Sequence, residues 1–184
     1  MAEKRSQGIG WTTWESPIGP LSLVDGPGGL TDLRFPGRLQ LPSEGAKKST
    51  PAVEEQLAAY FAGELREFDL RLDVRGTPLE REVWRRLLEI PYGETISYGE
   101  LAGRIDPGLF DEGVEPWRRA RVVGAANGRN PISIVVPCHR VIGADGSLVG
   151  YGGGLERKRA LLDLERRTVG GPDPELPASQ LTML

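Results

Sequence analysis

The sequence predicts an α+β fold in which a small antiparallel sheet precedes a mostly helical second part. Short alternating segments separated by Pro/Gly clusters fill residues 10–35, the pattern changes near residues 75–78, and helical spacing dominates after that break. We therefore predict an N-terminal α+β domain at 1–76 and a C-terminal domain at 77–167. Residues 168–184, rich in Gly and Pro, have the composition of a mobile tail.

The N-terminal elements follow from residue periodicity. Residues 10–35 contain three alternating segments, which predict antiparallel strands. Residues 38–51 are rich in Pro, Ser, Gly and Lys and are expected to form a loop. A helix is predicted at 52–62 because its apolar residues share one face, and residues 68–72 alternate again and could rejoin the sheet.

The C-terminal part begins with a helix that should end at residues 91–93. Ser97 and Glu100 have the spacing of a capping box, which predicts a second helix reaching about Ile105. A third helix is expected at 117–127, so two short helices joined by a loop predict a helix-turn-helix. In the first and third helices the residues expected to face inward are Leu79, Val83, Leu87, Leu88, Val122, Val123 and Ala126.

Three further segments complete the chain. The apolar run 132–136 predicts a buried strand that leads into Pro137. A glycine-rich loop follows at 150–154, and a last helix is expected at 155–166.

Composition bounds the classes of function. The chain has 184 residues, 39% hydrophobic and 27% charged, as in ordinary globular proteins, and no apolar run approaches the ~20 residues of a membrane-spanning helix. The first ten residues lack the apolar stretch of a secretory signal, so we expect a cytoplasmic protein, or a nuclear one in a eukaryote. One cysteine and one histidine exclude an internal disulfide and a Cys/His zinc site within the chain.

Charge is distributed unevenly along the chain. The net charge is −3, yet residues 113–140 contain five arginines and one acidic residue. Such a patch could hold phosphates, or it could be a solvated helix face.

Cys138 is the first candidate for chemistry. A lone cysteine is usually a small buried hydrophobic residue. This one lies beside His139 and Arg140, whose positive charge would favour a thiolate, and His139 could act as its base. Because neighbouring side chains of a strand point to opposite faces, that contact would need a bend or a bridging water.

The segment Pro-Cys-His-Arg-Val at 137–141 is accompanied by several other short motifs. In chain order they are Ile96-Ser97-Tyr98, Arg121-Val122-Val123-Gly124, Asn130-Pro131, Tyr151-Gly152-Gly153-Gly154-Leu155 and Leu164-Glu165. Together they resemble the O6-alkylguanine-DNA alkyltransferase family, in detail over residues 77–165 and only in pattern before that. The resemblance implies an RNase H-like N-terminal domain and a winged-helix-like C-terminal domain. It also implies DNA repair by irreversible transfer of one alkyl group from O6-alkylguanine, with O4-alkylthymine left open.

The resemblance assigns a role to each catalytic candidate. Cys138 would be the alkyl acceptor, activated through a water by His139, which Glu165 would orient. Tyr98 would donate a proton or hydrogen bond to the departing guanine. No cofactor or metal is implied.

Duplex DNA is the implied partner, bound through its minor groove by a monomer. Arg121 would enter the base stack in place of the flipped nucleotide. Small residues on its helix, Ala120, Gly124 and Ala125, would allow close approach to the groove. Val141, Tyr151 and Gly152 would line the base pocket, and Asn130 would brace the turn before it.

The sequence departs from the family pattern at three places, one of which is that the zinc ligands of some animal relatives have no counterpart here. Some relatives have serine where this chain has Gly152, so only the backbone N–H could contact O6. The loop 104–119 is longer than in compact relatives and would either add DNA contacts or be a simple insertion.

Two alternatives remain open. A Cys-His-Glu hydrolase would use the same three residues but needs an oxyanion hole that the sequence does not identify. A non-catalytic binder of alkylated DNA is disfavoured by Cys138 itself.

Overall fold

The computed structural model describes residues 9–37, 46–47 and 50–170 and confirms the α+β fold. A sheet with strand order β3-β2-β1-β4 is built from antiparallel β1 (Gly10–Ser16), β2 (Gly19–Gly26) and β3 (Gly29–Arg34). The two-residue β4 (Ala46–Lys47) pairs in parallel with β1, inside the segment that we expected to be only a loop. The remainder of residues 38–49 lies outside the described residues.

Residues 71–73 return to the sheet at Leu30, as the alternation of 68–72 suggested, but as a single bridge and not as a strand. Leu30 N donates to Arg71 O at 2.8 Å, and Asp73 N donates to Leu30 O at 2.9 Å. Gly29, with φ +128°, makes this approach possible, because a Cβ there would lie 2.2 Å from Arg71 O.

Helix α1 (Pro51–Phe61) buries Val53, Leu57 and Tyr60. Helix α2 (Pro78–Leu87) begins with a capping box between Thr77 and Glu80 and buries Val83, Trp84 and Leu87. The prediction that Leu88 faces inward is wrong, since it follows the end of α2 and is 51% exposed. Trp84 occupies the core instead, and its indole N–H donates to Ala126 O at 3.0 Å.

The predicted helix-turn-helix is formed by α3 (Tyr98–Gly103) and α4 (Arg119–Gly128). The capping box of Ser97 and Glu100 starts α3 as expected, although this helix ends two residues before Ile105. Short 3-10 turns at Pro107–Leu109 and Pro116–Arg118 lie in the connecting loop. Val123 and Ala126 are buried as predicted, whereas Val122 is only half-buried.

The expected strand at 132–136 does not form. Ile132 makes one bridge to Leu33, and the chain then turns, with Val136 N donating to Ile132 O at 2.9 Å. Ile134 has φ +73°, which is unusual for a β-branched residue and shows that the turn is imposed by its surroundings.

The turn leads into a 3-10 helix at Cys138–Arg140 and then into β6 (Val141–Ile142), which pairs in parallel with β5 (Ile96–Ser97). Helix α5 (Leu155–Thr168) closes the described chain. Its last residue, Thr168, is the first of the predicted tail, whereas 171–184 lie outside the described residues.

One cluster of buried apolar side chains connects the two halves of the molecule. It contains Leu23 and Tyr60 from the first half and Leu101 and Val136 from the second. The division at residues 76 and 77 therefore stays a proposal. Among the described residues, no helix is both long and apolar enough to cross a membrane.

Candidate active site around Cys138

The 3-10 helix at Cys138–Arg140 determines how the candidate residues are arranged. With about three residues per turn, successive side chains point roughly 120° apart, in contrast to the opposed directions of a strand. Cys138 can therefore face a surface pocket while His139 and Arg140 both reach Glu165 of α5. Neighbouring side chains in this segment do not point to opposite faces, because the segment is not a strand.

Glu165, which is fully buried, is the centre of a hydrogen-bond network. Its carboxylate receives Arg140 through two nitrogens at 2.9 Å and contacts His139 Nε2 at 2.9 Å. The hydroxyl of Tyr60 donates at 2.7 Å and the backbone N–H of Gly93 at 3.0 Å. Burial raises the pKa of Glu165, but these charged and hydrogen-bonding neighbours more than offset it and hold the pKa well below its usual range.

This network determines the state of His139. Burial lowers the pKa of His139, and the attraction of Glu165 only partly opposes that effect, so the imidazole is neutral near pH 7. Because Nε2 faces an ionised carboxylate, Nε2 carries the proton and Nδ1 presents a lone pair. Nδ1 is buried and has no hydrogen-bond partner among the described residues.

The position of Arg140 in the sequence suggested that its positive charge would favour a thiolate at Cys138, but its side chain is engaged elsewhere. Its guanidinium is paired with Glu165, donates to Ile90 O at 2.7 Å and lies over the ring of Tyr92. Arg129 is also paired, with Glu80. The predicted basic patch is therefore smaller than the sequence count indicated.

Cys138 is 5% exposed and lines a narrow pocket. Tyr151 and Gly152, both predicted as pocket residues, line it too, whereas Val141 is fully buried and does not. The Tyr151 hydroxyl is buried and has no hydrogen-bond partner among the described residues. The other lining residues are Asn127, Gly128, Asn130, Ser133 and Gly150.

Two asparagines hold the backbone around this pocket. Asn130 spans the turn before Cys138, with Nδ2 donating to Val136 O at 2.7 Å and Oδ1 accepting from Ile132 N at 3.0 Å. Asn127, which sequence reasoning missed, directs its Nδ2 to the carbonyl of Cys138 at 3.4 Å.

Tyr98 lies at the N-terminus of α3, beside the glycine-rich loop. Its hydroxyl donates to Gly150 O at 3.2 Å, next to the pocket residue Tyr151. Burial raises its pKa, so the hydroxyl keeps its proton near pH 7. A Cβ built on Gly124 would lie 3.5 Å from the ring of Tyr98, an ordinary van der Waals distance, so Gly124 faces α3.

Lys158 is a second buried charge that sequence reasoning missed. Its ammonium donates to the carbonyls of Val141 and Val149 at 2.6 Å each. Burial lowers its pKa to about 8, and negative charge at Cys138 would oppose that shift. A signal existed in the sequence, because Lys158 and Glu165 are seven residues apart on the same apolar stripe as Leu161 and Leu162.

Helix α4 places its small and basic residues at different depths. Arg121 and Ala125 are exposed and four residues apart, so they share the outer face of the helix. Ala120 is half-buried. The outer face ends at Gly128, which lines the Cys138 pocket.

Comparison with known proteins gives concordant matches. A family model described as 6-O-methylguanine DNA methyltransferase, DNA binding domain, matches residues 78–167. A methylated-DNA–protein-cysteine methyltransferase of Mycobacterium tuberculosis is 53% identical over 163 residues, covering 86% of this chain and 93% of the relative. One of Methanosarcina barkeri is 46% identical over 160 residues, covering 84% and 96%.

Solved structures agree with these relatives. The crystal structure of Mycobacterium tuberculosis OGT in complex with DNA has a TM-score of 0.74 and 50% identity, covering 89% of this chain and 95% of that one. The O6-methylguanine-DNA methyltransferase of the archaeon Pyrococcus kodakaraensis has a TM-score of 0.56 at 24% identity, covering 85% and 98%, and supports the fold alone.

Proposed function

The chain belongs to the methylated-DNA–protein-cysteine methyltransferase family, and on that premise we propose that it repairs O6-alkylguanine in DNA by transferring the alkyl group to Cys138. The observation that carries this proposal is the position of Cys138 at a pocket, beside a neutral His139 whose Nε2 is fixed by buried Glu165. A fixed imidazole tautomer with a free lone pair is what a thiol needs to lose its proton.

The first step is activation of the thiol. Nδ1 of His139 accepts a proton from a bridging water, which in turn takes the proton of Cys138. Glu165 stabilises the resulting imidazolium, and Arg140 compensates the charge of Glu165 so that the carboxylate stays ionised. The Cys-water-His-Glu relay thus leaves a thiolate at the pocket.

The second step is an in-line displacement at the alkyl carbon. The sulfur forms a bond to that carbon while the bond from carbon to O6 breaks, and the electron pair stays with the guanine. Tyr98 supplies a hydrogen bond or proton to the departing base. The products are a thioether on Cys138 and an unmodified guanine. Guanine gains one proton and Cys138 loses one, so when His139 releases its proton to water and Tyr98 regains one from water, the reaction balances without a cofactor and occurs once per protein molecule.

The leaving oxygen has a limited set of donors in this pocket. Gly152 has no side chain, so its backbone N–H would have to contact O6. The hydroxyl of Tyr151, which is buried at the same pocket without a partner, is a further donor that the base could meet.

DNA is held by the outer face of α4 in this proposal. Arg121 and Ala125 present a narrow, basic surface that fits the minor groove, where little sequence information is displayed and lesions in any sequence can be bound. Arg121 would fill the gap left by the flipped guanine. We infer a monomer that acts in the cytoplasm, or in the nucleus if the source is eukaryotic.

Intact-protein mass spectrometry after incubation with duplex O6-methylguanine DNA tests the proposal. We expect one methyl mass per protein, located on the peptide that contains Cys138, and no transfer by Cys138→Ala, which should still bind DNA. Sustained turnover would favour the hydrolase alternative, and binding without any mass change would favour the passive binder.

A second experiment tests the role of Arg121. Arg121→Ala should slow repair in duplex DNA while leaving transfer from the free modified base unaffected, because the free base needs no flipping. Equal repair rates in duplex DNA would refute the assignment.

A further inference from the structure

The loop between α3 and α4 leaves one large aromatic side chain in solvent. Trp117 is 73% exposed, whereas Phe110 of the same loop is 8% exposed and Leu109 and Val114 pack partly against the core. The loop is therefore anchored by its other apolar residues, and the exposure of Trp117 is a property of a folded segment.

A charged side chain lies beside the ring of Trp117. The guanidinium of Arg118 lies 4.6 Å from the centre of the Trp117 ring. The next residue, Arg119, is directed inward over Phe110 at 5.0 Å. An exposed aromatic plane beside a fixed cation is a combination that nucleic-acid-binding proteins use.

These two residues continue the outer face of α4. The exposed positions 118, 121, 125 and 128 are three or four residues apart and therefore lie on one side of the helix. The face ends at Gly128 beside the Cys138 pocket. At ~1.5 Å per residue, Trp117 is about 6 Å along the helix from Arg121, which corresponds to about two base-pair steps of ~3.4 Å.

We propose that Trp117 and Arg118 extend the DNA-binding surface of α4, with the indole packed on a deoxyribose about two base pairs from the gap that Arg121 fills. Arg118 would reach the adjacent phosphate. This inference rests on the proposed function, in which α4 faces DNA. The exposed acidic residues Asp111, Glu112 and Glu115 would be repelled by phosphates, so the contact is confined to Trp117 and Arg118. The long loop is then a binding extension and not a neutral insertion.

Binding of duplex O6-methylguanine DNA with at least ten base pairs on each side of the lesion tests the contact. Trp117→Ala should raise Kd about five- to tenfold, as for loss of one aromatic stacking contact, without changing the dependence on salt. Arg118→Ala should also weaken binding and reduce the salt slope by about 1, because one phosphate contact is lost. Ile9→Ala removes a comparably exposed apolar side chain outside the matched residues 78–167 and should leave Kd unchanged.

Duplexes that end about one base pair beyond the lesion on one side, short of the proposed contact, locate it. The effect of Trp117→Ala should vanish when one arm is shortened and persist when the other is. Equal Kd values of wild type and Trp117→Ala on the long duplex would overturn the inference, as would a loss of the same size on every duplex. Methyl transfer by the wild-type protein, measured in parallel, tests the proposed function separately, so either idea can fail alone.

Discussion

The two sides of the Cys138–Arg140 turn differ in how completely their polar atoms are bonded. On the inner side the carboxylate of Glu165 takes part in five hydrogen bonds. On the pocket side the hydroxyl of Tyr151 and Nδ1 of His139 have no partner among the described residues. Buried polar atoms without partners are costly, and these two belong to residues beside Cys138, where a substrate or a bridging water could satisfy them. In the proposed mechanism the inner side stabilises the protein and orients His139, and the pocket side receives the substrate.

Glu165→Gln is the variant from which we expect the largest effect. The variant keeps the shape of the side chain but leaves the buried guanidinium of Arg140 without its counter-charge, so the free energy of unfolding should fall by about 3–5 kcal/mol. Transfer should slow by roughly 100-fold or more, because His139 loses the anion that stabilises its protonated form. Urea denaturation and single-turnover methyl transfer would measure both effects.

Glu89→Gln is the matched control. Glu89 also pairs with two arginines, Arg85 and Arg86, but at an exposed position just after the end of α2. Its loss should change stability by no more than about 1 kcal/mol. A similar loss of stability in both variants would contradict the inner network as described.

Substitutions on the pocket side should change the rate of methyl transfer and leave the free energy of unfolding nearly unchanged. Tyr98→Phe removes a hydroxyl whose hydrogen bonds to the carbonyls of Gly150 and Val149 are long, at 3.2 and 3.4 Å. The free energy of unfolding should therefore change by about 1 kcal/mol or less. Transfer at saturating duplex should slow about 100-fold, because the departing base loses its proton donor. An unaltered rate would remove Tyr98 from the proposed mechanism.

The same substitution, tyrosine to phenylalanine, can be made on the inner side and on the pocket side. Tyr60→Phe removes a donor to the charged Glu165 and should lower the free energy of unfolding by about 1.5–3 kcal/mol. Tyr151→Phe removes a hydroxyl without a partner and should be neutral or slightly stabilising in the same urea experiment. The reverse ranking would show that the two sides have been assigned wrongly.

The smallest expected effect is the dependence of the free energy of unfolding on pH. The pKa values of His139 and Glu165 are both lower in the folded protein than in the unfolded chain, so the unfolded chain binds more protons as pH falls. Stability should therefore be complete above the ordinary histidine pKa of about 6.5 and decline below it, by at most about 1.4 kcal/mol per pH unit for one group. Urea denaturation between pH 7.5 and 5.5 should show this decline in wild type and lose it in His139→Gln, since the chain has a single histidine.

Elements specified by neighbouring residues were predicted well from the sequence. The capping box of Ser97 and Glu100 starts α3, and the alternation of residues 10–35 forms the three antiparallel strands. The family could be predicted because the segment around Cys138 and its accompanying motifs preserve residue type and spacing, and the comparisons confirm it. These signals are local, so they can be read without knowing the fold.

Predictions that depended on distant neighbours were less successful. The run 132–136 has the composition of a strand but is bent by Asn130 and by contact with Leu33. Leu88 was expected inside, but the position was taken by Trp84, which bonds to α4. Competition among side chains for the same core volume cannot be decided from periodicity alone.

The sequence by itself identified the candidate cysteine, the neighbouring histidine and the family to which the chain belongs. Only the tertiary structure decided that Arg140 forms an ion pair with Glu165 and that Trp117 is exposed to solvent. It also decided that Lys158 is buried and donates to the carbonyls of Val141 and Val149. The reason is physical. The charge state and exposure of a side chain depend on burial and on the groups packed around it, and those groups come from elements far apart in the chain.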